Sequence, residues 1–398
     1  MSNYLADNSY VAVKPESTEG TPVVPTTFIP LVGESIKTVL NLTPDRRMKG
    51  LDWKSDDVTR GIRRHEGDFV VHADPDTLGH LLNMTYAKGS TTGDAASGYT
   101  HPFTVGSPKS YTIEIKKGPY AQRYFGVKAE SLKLDFVDGR MQATVAVKAM
   151  GQFSVGSLAA ALTGAGMTSL VLATDYDMKP NSGLVVGDVI TVGGVDITIT
   201  SVNADGITVG FASISVTASV GDPVYLKAQA ASFTNLKPPF YQGNALVGVG
   251  ANETAATTAA GAKSTATPMY EFSVSFMNNL LDAPASGSQD PVKLLPQVRE
   301  ATLTVSQLFE TVAQHQAWLN AAKQAITEIV KGTFIKSDFT TWEKLTLKFH
   351  KVKLTANDEP LEVGSYIFDK QAFEALYDSA DAKALSIELV NRTAGTSY

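Results

Sequence analysis

The stretch "GDFVVHADPDTLGHLLNMTYAKG", residues 67–89, decides how the chain is read. Val70 and Val71 are strand formers, but then the apolar period changes, and Leu78, Leu81, Leu82 and Thr85 share one helical face. Asp74 can accept hydrogen bonds from the open amides of a first turn, Pro75 has no amide to lose there, and Gly89 is a natural stop. A strand running into a helix is expected. A second helix is expected over "LFETVAQHQAWLNAAKQAI", residues 308–326, where Leu308, Val312, Leu319, Ala322 and Ile326 fall on one face and His315 joins them.

Most of the remaining sequence alternates with period two. "KSYTIEIKKGPYAQRYFGVKAESLKLDFVDGRMQATVAVKAMG" (109–151) ends in a hairpin turned at Asp138–Gly139, a strong two-residue turn signal. "YEFSVSF" (270–276), "REATLTVSQ" (299–307), "KLTLKFHKVKL" (344–354) and "ALSIELVNRT" (384–393) read as further strands. The order strand, helix, paired strands thus occurs twice, around 67–150 and 299–393, with little residue identity between the two.

Composition divides the rest. Residues 1–60 hold the proline-rich "KPESTEGTPVVPTTFIP" and the charge-dense "NLTPDRRMKGLDWKSDDVTRGIRR", which runs a few residues beyond, and read as an irregular arm and an inter-subunit loop. Residues 157–230 are short Val/Ile/Thr strands with glycine turns, a small all-β module carrying six Asp against two Lys, so four of the six net negative charges sit there. "ANETAATTAAGAKSTAT" (251–267) is low in complexity and reads as a flexible loop.

A net charge of -6 leaves no general basic footprint for tight nucleic-acid binding. The absence of cysteine removes disulfide scaffolds, thiol catalysis and thiolate zinc sites, and fits synthesis in a reducing cytosol. The N-terminal residues lack a basic and apolar leader, and no stretch has the length to cross a bilayer, so a soluble chain without a membrane partner is expected. His65, His72, His80, His101, His315 and His350 match no metal spacing and are read as structural. There is no GxSxG elbow and no P-loop, and "GVGAN" (248–252) is too weak for a phosphate site. Asn41, Asn83, Asn252 and Asn391 begin glycosylation-type triplets that read as chance matches. No catalytic, cofactor-binding or metal-binding constellation emerges, and the expectation is a non-enzymatic assembly subunit whose strand edges are paired across subunits.

In this context the order of four stretches carries a resemblance: "ESTEGTPVVPTTFIPLVGES" (16–35), "GDFVVHADPDTLGHLL" (67–82), "YEFSVSFMNNLL" (270–281) and "SYIFDKQAFEALYDSADAKALSIELVNRT" (365–393). Together they resemble the major tail tube proteins of long-tailed, non-contractile bacteriophages. The resemblance implies a mainly β fold with α+β character. It would be a duplicated tail-tube β-sandwich with one flanking helix per copy, at 61–156 and 231–398, and the 157–230 module inserted and facing outward. It implies a virion protein, assembled in the host cytoplasm, that stacks as homotrimeric rings of pseudo-sixfold symmetry, or alternatively hexamers, into a tube for the genome. Its implied partners are itself, the tape measure protein, and the tail terminator and distal tail proteins, with DNA passing transiently and non-specifically. A capsid or tail decoration protein and a surface β-rich adhesin are the alternatives.

Strand alternation then nominates a channel wall. With the large apolar residues facing a sandwich core, Ser131, Asp135, Gln142, Thr144, Glu271, Ser273, Ser275, Thr302, Thr304 and Glu388 face the other way. That face is small, neutral or acidic, with Lys133 and Lys148 as exceptions. Such a wall would let a polyanion slide, because each lysine or arginine meeting a phosphate adds counterion-release affinity.

Overall fold

The computed structural model describes the chain apart from residues 1–8, 45–57, 174–182, 234–235, 310–311, 313–314, 317–318, 336–340 and 360–365. Strands hold 57% of it and helices 7%, so the fold is mainly β, with large antiparallel sheets.

The main elements are β1 (Val11–Pro15), β2 (Lys37–Val39), β3 (Arg64–His72), α1 (Thr77–Thr85), β4 (Gly98–Thr104), β5 (Tyr111–Lys117), β6 (Tyr120–Val137) and β7 (Arg140–Ala149). After an inserted barrel come β8 (Ala245–Gly250), α2 (Glu253–Ala260), β9 (Glu271–Met277), β10 (Glu300–Leu308), β11 (Lys323–Phe334), β12 (Trp342–Asp358), β13 (Phe368–Ala375) and β14 (Leu385–Asn391). One antiparallel sheet runs β2–β3–β7–β6–β9–β10–β13–β12. A second runs β8–β11–β12–β14–β4. β12 serves both, its first half in the second sheet and its last residues in the first. Leu132, Val145, Val274 and Val305 from the first sheet and Leu345, Leu347, Ile387 and Leu389 from the second share one apolar cluster with α1.

The β6–β7 hairpin turns where expected: Val137 pairs with Arg140, and Asp138 (φ 50°) and Gly139 (φ 74°) both take the left-handed conformation that this two-residue turn demands. α1 also forms. Asp74 Oδ1 accepts the amides of Asp76 (2.9 Å) and Thr77 (3.0 Å). The stop is not Gly89, however: the chain turns extended at Tyr86 and Ala87–Lys88 is already strand. All nine residues of α1 are buried. Gly79 lies so close under the ring of Tyr398 that a Cβ there would meet it at 2.3 Å.

The second expected helix is found in part: His315, Gln316 and Leu319 are helical, and the Gln316 amide donates to the Val312 carbonyl and the Asn320 amide to the Gln316 carbonyl, each at 3.0 Å. Leu308 closes β10 and Ile326 lies inside β11; Val312 and Leu319 are exposed, and Ala322 just precedes β11. His315 is a partly exposed histidine, 43% exposed with Glu359 Oε1 at 3.5 Å. The two ends of the periodic stretch are captured by strand pairing, β10 with β13 and β11 with β12, because tertiary ladders override a weak local preference.

A further helix, α2, forms within the segment expected to be a flexible loop. Asn252 caps it, accepting from the Ala255 amide at 2.9 Å. Gly248 and Gly250 let it lie directly on β8: a Cβ at Gly248 would come 2.1 Å from the Ala256 carbonyl oxygen. "GVGAN" is thus a platform for a helix.

The N-terminal region is also more regular than its prolines suggest. β1 pairs with β5, Thr27–Ile29 pairs with β1, and Val11, Ala12 and Val13 are fully buried. Leu42–Pro44 and Val58–Arg60 form a separate two-stranded ribbon. The charge-dense residues 45–57 between them, where an inter-subunit contact is expected, lie outside the described residues.

The module is a closed barrel. Its strands order as Val155–Ser157, Pro223–Leu226, Val189–Val192, Val195–Val202, Thr208–Ala218 and Leu162–Val171. Hydrogen bonds from Ala159 to Val171 and from Ala173 to Ser157 join the last strand back to the first. Closure of this kind covers strand edges. Its own apolar core includes Leu158, Leu170, Ile190, Ile197 and Val224.

Candidate functional site

Nine of the ten nominated residues lie together on one face of the first sheet. The ladders set them in rows. Across β3, β7, β6, β9, β10 and β13 one row reads Val70, Thr144, Lys133, Ser275, Thr302, Glu374, and the next reads His72, Gln142, Asp135, Ser273, Thr304, Ala372. Ser131 and Glu271 extend the face at either end. Alternate residues on the same strands, among them Leu134, Ala143, Val274 and Leu303, are buried in the core. Glu271, Thr302 and Thr304 are exposed, and Ser131, Asp135, Gln142, Thr144, Ser273 and Ser275 are half-buried among their neighbours.

Glu388 does not join them. It sits on β14 in the second sheet, beside Thr346 and Pro102, with Lys344 Nζ at 3.4 Å. That face carries α2, which is tied to it by Lys348 Nζ to Glu253 Oε1 at 2.7 Å. Alternation within one strand tells inside from outside; it does not tell which of two sheets a strand joins.

Two lysines of the nine-residue face have acidic partners in place. Lys133 Nζ meets Asp135 Oδ2 at 2.6 Å. Lys148 Nζ donates to the Leu280 carbonyl at 2.7 Å and has Glu130 at 3.4 Å and Asp282 at 3.9 Å. The sequence reading missed this pairing, and it also missed Lys353 opposite Glu374 and Lys370 opposite Asp358 on β12 and β13. The result is a face mostly of Ser, Thr and Gln, on which Lys133 is paired with Asp135 of its own strand.

The histidines are held by neighbours in several ways. His65 contacts Thr38 (2.9 Å) and Asp290 (3.1 Å), and His101 contacts Thr91 and Asn391 (each 3.0 Å). Burial pushes His80 down to about 4, so it is neutral near pH 7. His350 has the connectivity of a catalytic triad, with Nδ1 2.7 Å from Asp381 Oδ2 and Nε2 2.9 Å from Ser386 Oγ. But Ser386 is ladder-paired with both Lys348 and Thr104, which commits the strand amides that an oxyanion hole would need. The arrangement reads as a satisfied histidine. Among the described residues, no group of three or more His, Asp or Glu side chains is placed to hold a metal ion. No helix among them is long and apolar enough to cross a membrane.

Compared with known proteins, the chain matches no protein-family model, and a search of curated proteins finds no match.

Proposed function

We propose that this chain is a structural subunit of a phage-type tail tube, polymerising into stacked rings whose inner wall is the face of Thr144, Ser273, Ser275, Thr302 and their neighbours. The observation that carries the reading is that face: mostly small polar residues, with Lys133 paired to Asp135, running across the four strands β7, β6, β9 and β10. A surface of this kind offers a passing polyanion little counterion-release affinity. The resemblance of the four sequence stretches supports the same reading. So does the recurrence of a strand leading straight into a helix, at β3–α1 and at β8–α2, which fits a duplicated sandwich with one helix per copy.

Geometry favours three chains per ring. The first sheet has eight strands in sequence from β2 to β12. At a spacing of about 4.8 Å and a tilt near 40°, three such sheets close a barrel about 48 Å across the backbone, and six close one of about 96 Å. The smaller barrel leaves room for a hydrated duplex, whereas the larger far exceeds what one duplex requires. The inserted barrel stands outside the tube in this arrangement, since its sheet closes on itself.

Negative-stain imaging of the purified full chain tests the proposal. Rings or tubes of uniform width are expected; isolated particles or small knobs at all concentrations would favour a decoration protein.

A further inference from the structure

The inserted barrel is joined to the sandwich by more than its two chain crossings. Ala121 and Phe153, from outside the barrel, fill part of its core. Beside them lies a charged group with almost no access to water. Arg123 on β6 is 1% exposed and grips Asp188 of the barrel with both terminal nitrogens, at 2.5 and 2.7 Å. One of these nitrogens also reaches Glu114 of β5, at 2.8 Å. The other Glu114 oxygen accepts from the Tyr10 hydroxyl at 3.0 Å and from the Gln229 side-chain amide at 3.1 Å. The Gln229 backbone amide closes the ring by donating to the Tyr10 oxygen at 2.7 Å. Burial, reinforced by the Glu114 charge, pushes the Tyr10 hydroxyl upward, so it remains a donor.

The two kinds of contact do different work. Apolar contact through Ala121 and Phe153 is attractive but non-directional. A guanidinium fork meeting a carboxylate is planar and specifies an angle. A cleft of about 540 Å³ lies between barrel and sandwich, lined by Val24, Phe28 and Leu226 together with Glu114, Arg123 and Asp188 themselves. We propose that the Arg123 fork on Asp188 is an orientation lock, holding the inserted barrel at one fixed angle on the sandwich so that every copy of the chain presents the same barrel surface. The proposal is independent of whether the chain assembles.

Because the chain has no cysteine, two can be introduced cleanly, at Ser213→Cys on the barrel and Thr254→Cys on α2, both exposed positions. Spin labels there report the distance between the two bodies in the full-length protein. A single narrow distance is expected for the labelled parent and for Lys227→Met, which removes only the exposed ion pair with Asp196. Arg123→Gln should lose the narrow peak while far-UV circular dichroism stays that of a folded β protein. If Arg123→Gln does not fold, Asp188→Asn carries the test, because it keeps an uncharged acceptor and leaves Arg123 and Glu114 as a neutral pair. A narrow peak retained in either folded variant, or a broad distribution in the parent, overturns the lock.

Discussion

Glu328 gives the chain a stability profile that can be measured. It lies on β11 opposite Val247 and Leu347, is 0% exposed, and neither carboxyl oxygen has a hydrogen-bond partner. Burial alone pushes its carboxyl well above the usual range, so the folded protein keeps it protonated where the unfolded chain has released the proton. The sign follows from linkage. Once pH passes the ordinary carboxyl range, the native state holds one more proton than the unfolded state, and stability falls by about 1.4 kcal/mol per pH unit until the buried group itself ionises. Glu328→Gln cannot ionise and keeps the shape. Urea unfolding of both proteins at several values between pH 5 and pH 8 should show similar midpoints at the acid end and a growing advantage for the variant toward pH 8. Two stability curves that run parallel across this range would refute the reasoning, since they would mean that Glu328 is charged or partnered in the folded state.

Gly79→Ala should lower the melting temperature, although alanine is the better helix former by about 1 kcal/mol, because the new methyl meets the Tyr398 ring; in a Tyr398→Ala background the same change should become neutral or stabilising, and equal effects in both backgrounds would show that the ring is not seated there. Arginine at Ser273, Ser275, Thr302 and Thr304 together should leave assembly intact but slow genome delivery, more at low salt; unchanged delivery would remove this face from the channel. Excision of residues 157–230 should leave the sandwich folded and still able to assemble when Phe153, which loses its place in the barrel core, is replaced by Ser; loss of all cooperative unfolding would show that the barrel is part of the main core.

The sequence was most legible where the signal is local. Asp138–Gly139 marks its turn through two backbone conformations, Asp74 marks the start of α1 through its carboxylate, and the alternation from Ser131 to Thr304 separates the polar face from the core without knowledge of any partner strand. Legibility failed where the deciding contacts are remote. Leu308 and Ile326 share a helical spacing with Val312 and Leu319, yet they belong to β10 and β11, whose pairing with β13 and β12 confines the helix to the residues between them. Apart from Glu253, α2 is built from Thr and Ala and buries only Ala256 and Ala260, and the cue was the pair Gly248 and Gly250, which matters only once a helix is known to lie across them. Glu388 alternates correctly, but its sheet is set by pairing with β4 and β12. The neutralising partners of Lys148, Glu130 and Asp282, are equally remote: one lies across a bulged hairpin, the other on a distant ribbon.

The most direct measurement of the central claim is a cryo-electron microscopy map of the assembled protein, from which the chains in one ring are counted and the residues at the lumen identified. The account predicts three chains per ring, with Thr144, Ser273, Ser275, Thr302 and Thr304 facing the channel and the 157–230 barrel outside it. Six chains per ring, or a map placing those five side chains on the outer surface, would contradict it.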